Sequence, residues 1–121
     1  MNDGWNPYDR NCPSRRVLDR IGDRWTVLVV GALADRPLRF SEITKRVDGI
    51  SQKMLTQTLR GLEQDGLVTR TVTAAVPVRV DYELTPAGHS LRTPLKALED
   101  WAFEHMVPIL QARERYAETA S

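Results

Sequence analysis

Lys53, Thr56, Gln57, Arg60 and Gln64 recur at helical spacing, and together they supply two cations, two amides and a hydroxyl with no acid among them. Gathered on one face of a helix, such groups fit the edges of duplex DNA. Arg or Lys donates to guanine O6 and N7, and Gln pairs with adenine N6 and N7. Ser51 and Gln52, at the start of the same stretch, suit a phosphate together with the N–H groups left unpaired at a helix start. Met54, Leu55, Thr58, Leu59 and Leu62 fall on the opposite side of the wheel. An ordinary solvated face has the same polar composition, so the stripe is judged by the elements around it. Arg79, beside Val76-Pro77-Val78, fits a guanidinium entering a narrow A·T minor groove; pairing with Asp81 or Asp48 is the alternative.

Cys12 is the only cysteine, precedes a predicted helix and lies near Arg10, Arg15 and Arg16, all of which favour a thiolate. A single thiol cannot close an internal disulfide, which favours a reducing compartment. A structural cysteine packed on the core is the alternative reading. Catalytic constellations are absent from the sequence. His89 and His105 are the only histidines, and neither forms H-E-x-x-H. There is no C-x-x-C, G-x-S-x-G, G-x-G-x-x-G or P-loop pattern. Asp81 and Glu83 share a strand face and imitate a carboxylate pair, but a solvated face opposite Thr69 or Thr71 explains them better. No enzyme activity, metal or cofactor is expected.

The elements that must position these residues follow from punctuation and period. Residues 1–12 read as an irregular N-terminal arm, and Pro13 opens a helix that Gly22 stops. Asp23 caps a second helix, apolar nearly all round through Trp25, Val27, Leu28, Val29, Val30 and Leu33. Asp35-Arg36-Pro37 breaks it. Ser41 is expected to cap a short helix carrying Ile43 and Val47, and Ser51 a longer one ended by Gly66, so that about 41–65 is helix, turn, helix. Val68-Thr69-Arg70-Thr71-Val72-Thr73 and Val78 to Leu84 alternate with the period of strands and form a hairpin, a wing of about 67–84. Thr85-Pro86 starts a long helix, which Pro108 is expected to interrupt. The fold class is mostly α with a small β-hairpin (α+β): a winged helix-turn-helix over 13–121 with terminal dimerisation helices at about 86–118.

At 121 residues, 41% hydrophobic and 27% charged, the chain has the length of one domain and the composition of a folded protein. No apolar run approaches the ~18 residues of a membrane span, and no basic start precedes an apolar block, so a cytoplasmic protein without membrane association is expected. Charge is unevenly placed. Residues 1–60 hold eleven Lys and Arg against seven Asp and Glu, whereas residues 61–121 hold six against nine. A basic first half suits a polyanionic partner, with chance asymmetry in a small protein as the alternative.

The stretch from Cys12 through Trp101 resembles the HxlR-type regulators, winged-helix relatives of the MarR-like proteins. The resemblance is carried by Cys12-Pro13, Ile21-Gly22-Asp23-Arg24-Trp25-Thr26, Arg39-Phe40-Ser41-Glu42-Ile43 and Ile50-Ser51-Gln52-Lys53-Met54-Leu55-Thr56. It continues through Leu59-Arg60-Gly61-Leu62-Glu63-Gln64-Asp65-Gly66-Leu67-Val68 and Asp81-Tyr82-Glu83-Leu84-Thr85-Pro86-Ala87-Gly88. Asp23-Arg24 departs from the commoner Gly-Lys, and Ala74-Ala75 makes a plain approach to the wing tip. The resemblance implies a homodimeric transcription factor with the Gln52–Gln64 helix in the major groove of a near-palindromic operator. It also makes Cys12 a redox-sensing candidate, because several members of the family sense oxidants or electrophiles through a cysteine at this place.

One winged helix makes few contacts, so symmetric pairing is the usual solution. The spare apolar surface for it is the stripe Leu91, Leu95, Leu98, Trp101, Ala102 and Met106, with Ile109 and Leu110 beyond; the alternative is that this stripe folds back on its own domain. Two other functions fit the same elements: a winged-helix protein-interaction module, and a regulator with a non-covalent small-molecule inducer.

Overall fold

Pro13 opens α1 (Pro13–Gly22) with Cys12 at its N-cap, and the chain then turns through Asp23 into α2 (Arg24–Ala32). Asp23 Oδ1 accepts from the Trp25 N–H at 2.8 Å, the capping role its type suits. The computed structural model describes residues 4–120. Within them follow α3 (Phe40–Arg46), α4 (Gln52–Gln64), β1 (Val68–Thr73), β2 (Arg79–Leu84), α5 (Pro86–Glu104) and α6 (Met106–Ala120). The winged helix-turn-helix expected from the sequence is the fold observed. The chain divides into two compact units at Ser90 and Leu91, the first holding α1 to β2 and the start of α5, the second the rest of α5 and α6.

The core of the first unit is Val29, Val30 and Leu33 from α2 and its end, Leu38, Ile43 of α3, Leu55, Leu59 and Leu62 of α4, and Val68 with Leu84 at the base of the hairpin. α2 is less enclosed than its composition predicts, for Leu28 is 44% exposed while Thr26, Val29, Val30 and Ala32 are buried. The helix caps differ from expectation at one place. Ser41 lies inside α3, and Arg39 is its N-cap, with Glu42 Oε1 accepting from the Arg39 N–H at 2.9 Å. The reason lies one residue earlier. Leu38 is held extended by a two-way bridge to Tyr82 (N–H to O, 3.0 and 2.8 Å), so the chain enters the helix directly after it.

β1 and β2 pair antiparallel, from Val68 opposite Leu84 to Thr73 opposite Arg79. The alternation predicted for these strands holds, but burial is confined to the base. Val68 and Leu84 are buried, whereas Val72 and Val78 are exposed. Two glycines fix how the hairpin leaves α4. Gly66 takes a left-handed φ of 72°, Gly66 N–H bonds Glu63 O, and Leu67 N–H bonds Leu62 O, the paired closure of a helix C-terminus. Gly88, in the first turn of α5, packs so close to the Leu67 carbonyl that a Cβ there would collide with it. Thr85 ties the two together, donating to Gly66 O at 2.7 Å and accepting from Gly88 N–H at 3.1 Å.

In the second unit the helix break falls at His105 and not at Pro108. Pro108 is the third residue of α6, where a missing N–H leaves no intrahelical bond unmade. Pro94, by contrast, lies inside α5. Leu95 is 3% exposed and therefore already covered within its own chain. Leu98, on the same stripe, is 58% exposed.

Gly88 and Gly31 make opposite predictions. Gly88→Ala forces Cβ onto a backbone carbonyl and should cost about 2–4 kcal/mol in urea unfolding. Gly31→Ala, in α2 with open space at the Cβ position, should instead stabilise by about 0.5–1 kcal/mol. Equal effects of the two substitutions would contradict the packing described for Leu67.

Candidate nucleic-acid interface

α4 places its functional side chains by burying the others. Leu55, Thr58, Leu59 and Leu62 face the core, and Ser51 Oγ caps the helix by accepting from the Met54 N–H at 3.0 Å. What remains outward is Gln52, Lys53, Thr56, Gln57 and Arg60, which line one open groove of about 410 Å³. These are residues assigned from the sequence and the structure brings them together, whereas Gln64, placed on the same face by the sequence, is exposed at the end of α4 and does not line this groove. Among the described residues, neither Lys53 nor Arg60 has a carboxylate partner. Thr56 Oγ1 donates back to Gln52 O at 2.9 Å, so it offers a partner lone pairs and a methyl group but no proton. Ser51 differs: its cap uses a lone pair and leaves the hydroxyl hydrogen free for a phosphate.

Arg79 lies at the start of β2, away from this groove. Its Nε donates to Asp81 Oδ2 at 3.0 Å, the pairing that the sequence offered as the alternative. The Arg79 side chain remains 53% exposed, and the pair, through Nε alone, leaves its two terminal nitrogens for another acceptor. Sequence reasoning missed a second cleft between α4 and the wing, about 230 Å³, where Thr56, Leu59, Arg60 and Glu63 face Arg70 and Tyr82. The signal was present in the alternation of β1, since Arg70 shares its strand face with buried Val68, but the partner helix could not be read from it.

On the terminal helices Leu98, Trp101, Phe103, Val107 and Leu110 are exposed, Ala102 is exposed and Met106 is 37% exposed; Leu91 is half-buried. Trp101 stacks on His105 at 4.4 Å between ring centroids. A further apolar hollow of about 450 Å³ lies at the arm, between Trp5, Pro7 and Pro13 and the Val17–Leu18 step of α1.

Cys12 is 8% exposed, and its sulfur is hydrogen-bonded at 3.1 Å both to Ser14 Oγ and to the Asn6 N–H. The Ser14 hydroxyl is the main reason the thiol titrates below the ordinary range. Burial opposes it, the backbone N–H groups of Ser14 and Asn6 assist, and the Asp9 carboxylate opposes. The thiolate expected from the sequence is therefore favoured, but by hydrogen bonds and not by Arg10, Arg15 or Arg16.

Among the described residues no helix is long and apolar enough to cross a membrane, and no cluster of three metal-ligating side chains forms. The family model for HxlR-like helix-turn-helix proteins matches residues 20–109. The chain is 39% identical over 112 residues to the uncharacterised HTH-type transcriptional regulator YtfH of Escherichia coli, covering 93% of this chain and 89% of that one. The solved structure of ytfH from Salmonella typhimurium is 41% identical, with a TM-score of 0.84 over 91% of this chain and 98% of that one. Diamide-treated YodB of Bacillus subtilis is 38% identical, with a TM-score of 0.67 over 79% and 96% respectively.

The thiol geometry sets a pH dependence. A lowered titration point means that alkylation of folded Cys12 should reach half its limiting rate at a lower pH than in the urea-unfolded chain. Ser14→Ala should move that midpoint upward, because the strongest hydrogen bond to the thiolate is lost. Coincident midpoints for the folded and unfolded chains would show that the sulfur is not polarised.

Proposed function

This chain belongs to the HxlR-like helix-turn-helix family and is a DNA-binding transcriptional regulator; from that premise we propose that it acts as a homodimer on a near-palindromic operator, with the outer face of α4 in the major groove. One observation carries the reading. Gln52, Lys53, Thr56, Gln57 and Arg60 share a single open groove free of acids, on a helix whose inner face is buried. Lys53, Gln57 and Arg60 are the base-edge contacts, and Ser51 with Gln52 approaches the backbone at the helix start. Arg79 is available to a minor groove through the terminal nitrogens that its pair with Asp81 leaves free.

Pairing of two protomers uses Leu98, Trp101, Ala102 and Met106, with Leu91 at the margin, because an apolar surface of this kind costs free energy while it stays in water. Regulation through Cys12 is a second reading, favoured by its polarised sulfur and by the diamide treatment of YodB. With one cysteine per chain, oxidation would join Cys12 of two protomers or attach a small thiol. In either case two thiols release two electrons and two protons, which diamide takes up on reduction to its hydrazine.

Arg60→Ala should lose ~1–3 kcal/mol on a site selected from random DNA and relax base preference at one position per half-site. Binding of selected and random duplexes with the same affinity before and after the substitution would remove α4 from the major groove. Trp101→Glu, at a side chain 55% exposed, should yield a folded monomer in sedimentation with much weaker operator binding. A folded monomer that binds the whole site at full strength would remove the dimer from the mechanism.

A further inference from the structure

The cleft between α4 and the wing holds two charged side chains, Arg70 and Glu63, that neither the core nor the base-reading face uses. Arg70 on β1 stands opposite Tyr82 on β2, so both side chains lie on one face of the hairpin, the face that begins with buried Val68 and Leu84. That face meets α4 at Leu59, Arg60 and Glu63. Thr56 and Arg60 line both this cleft and the groove along α4, so the two are continuous.

The charges in the cleft are only loosely satisfied. Arg70 Nε lies 3.9 Å from Glu63 Oε2, beyond hydrogen-bond length, and the two side chains are 48% and 43% exposed. Glu63 therefore attracts Arg70 without occupying its donors, of which a guanidinium has five in a fork suited to phosphate oxygens. The Arg60 guanidinium adds a second positive charge against the one carboxylate. A duplex with its base edges against α4 would carry a sugar-phosphate backbone along each side of that groove, and the cleft opens on the hairpin side of it.

We infer that the cleft is the seat of one backbone phosphate of the bound duplex, with Arg70 as its ligand and Glu63 as the carboxylate that the phosphate displaces from Arg70. The inference rests on α4 being the reading helix. It assigns opposite roles to two residues that form one ion pair. Arg70 strengthens binding to any sequence, because phosphates carry no base identity, and Glu63 weakens it by repelling the same phosphate. If the pair only tied β1 to α4, removing either member would loosen the wing and weaken binding alike.

The test compares wild type, Arg70→Ala, Arg70→Lys and Glu63→Gln on a selected operator and on a random duplex of equal length, across a salt series. Arg70→Ala should weaken both duplexes by the same factor, about three- to tenfold, and make the slope of log K against log salt shallower by about 0.9. Arg70→Lys should restore the slope, and Glu63→Gln should tighten both duplexes. An unchanged slope in Arg70→Ala, or weaker binding by Glu63→Gln, overturns the inference while leaving the reading helix in place. Wild type that does not distinguish its selected site from random DNA overturns both. Should Arg70→Ala fail to fold, the sign of the Glu63→Gln effect alone decides.

Discussion

Leu55 and Leu62 are fully buried and Leu59 is 2% exposed, all on one side of α4, and everything outward of them is left to solvent. The other features depend on this division. Three buried leucines contribute ~1.5–3 kcal/mol each, together comparable to the ~5–15 kcal/mol by which a whole domain is stable. The outward groups are not needed to hold the helix, because the helix is held from behind. Substitutions there cost little stability, within about 0.5 kcal/mol for exposed positions, so the chemistry of the groove can vary while the fold stays fixed. A helix with apolar residues on both sides could not be presented in this way.

The wing is set against that helix by a joint and not by a broad interface. Gly66 reverses the chain at the end of α4, Thr85 grips the Gly66 carbonyl and the Gly88 N–H, and Gly88 leaves room for Leu67. On the other side Leu38 bridges Tyr82 through both of its backbone groups, linking the hairpin to the start of α3. The base of the hairpin is thereby fixed to both helices of the helix-turn-helix, while Val72, Val76 and Val78 extend into solvent. The same strand face passes from core at Val68, through the cleft at Arg70, to open water at Val72. A short hairpin can in this way be anchored at one end and available at the other.

Much of this arrangement was legible in the residues, and the exceptions share a cause. Ser51, Gly66, Thr85-Pro86 and the two strand runs are signals that act within a few residues, and the elements begin and end where those signals lie. Ser41 was an equally good local signal but did not cap α3, because the Leu38–Tyr82 bridge, between residues far apart in sequence, decided where the helix could start. Leu95 belongs to the same apolar stripe as Leu98, yet one is buried and the other 58% exposed, a distinction that periodicity cannot draw. Pro108 looked like a break, but a proline three residues into a helix is compatible with it. The cleft of Arg70 and Glu63 was hidden for the reason that hid the bridge: it exists only once β1 is laid beside α4.

Cys12 lies at the far end of a lightly held element. α1 has no buried residue, and its visible hold on α4 is Arg20, whose guanidinium lies over Gly61 and whose Nε meets Asp65 Oδ2 at 2.9 Å. Such a partly exposed pair contributes at most about 1 kcal/mol. α1 also packs on α2, but an element without a buried side chain opens locally at lower cost than the core, and such opening is what would admit a reagent to a sulfur now 8% exposed. An adduct could not keep the 3.1 Å contacts to Ser14 and Asn6, so the arm and the start of α1 would have to move. The consequence for DNA binding is bounded by the same weakness. If the change reached α4 only through Arg20, it could alter affinity by about 1 kcal/mol, a factor of about five. A switch with a larger response therefore requires the modified arm to change how two protomers pair, since a covalent change can shift an equilibrium only by the difference in its fit to the two states. A thiol switch of large response thus depends on the proposed dimer, whereas the dimer, resting on the exposed apolar face of the terminal helices, does not depend on the thiol.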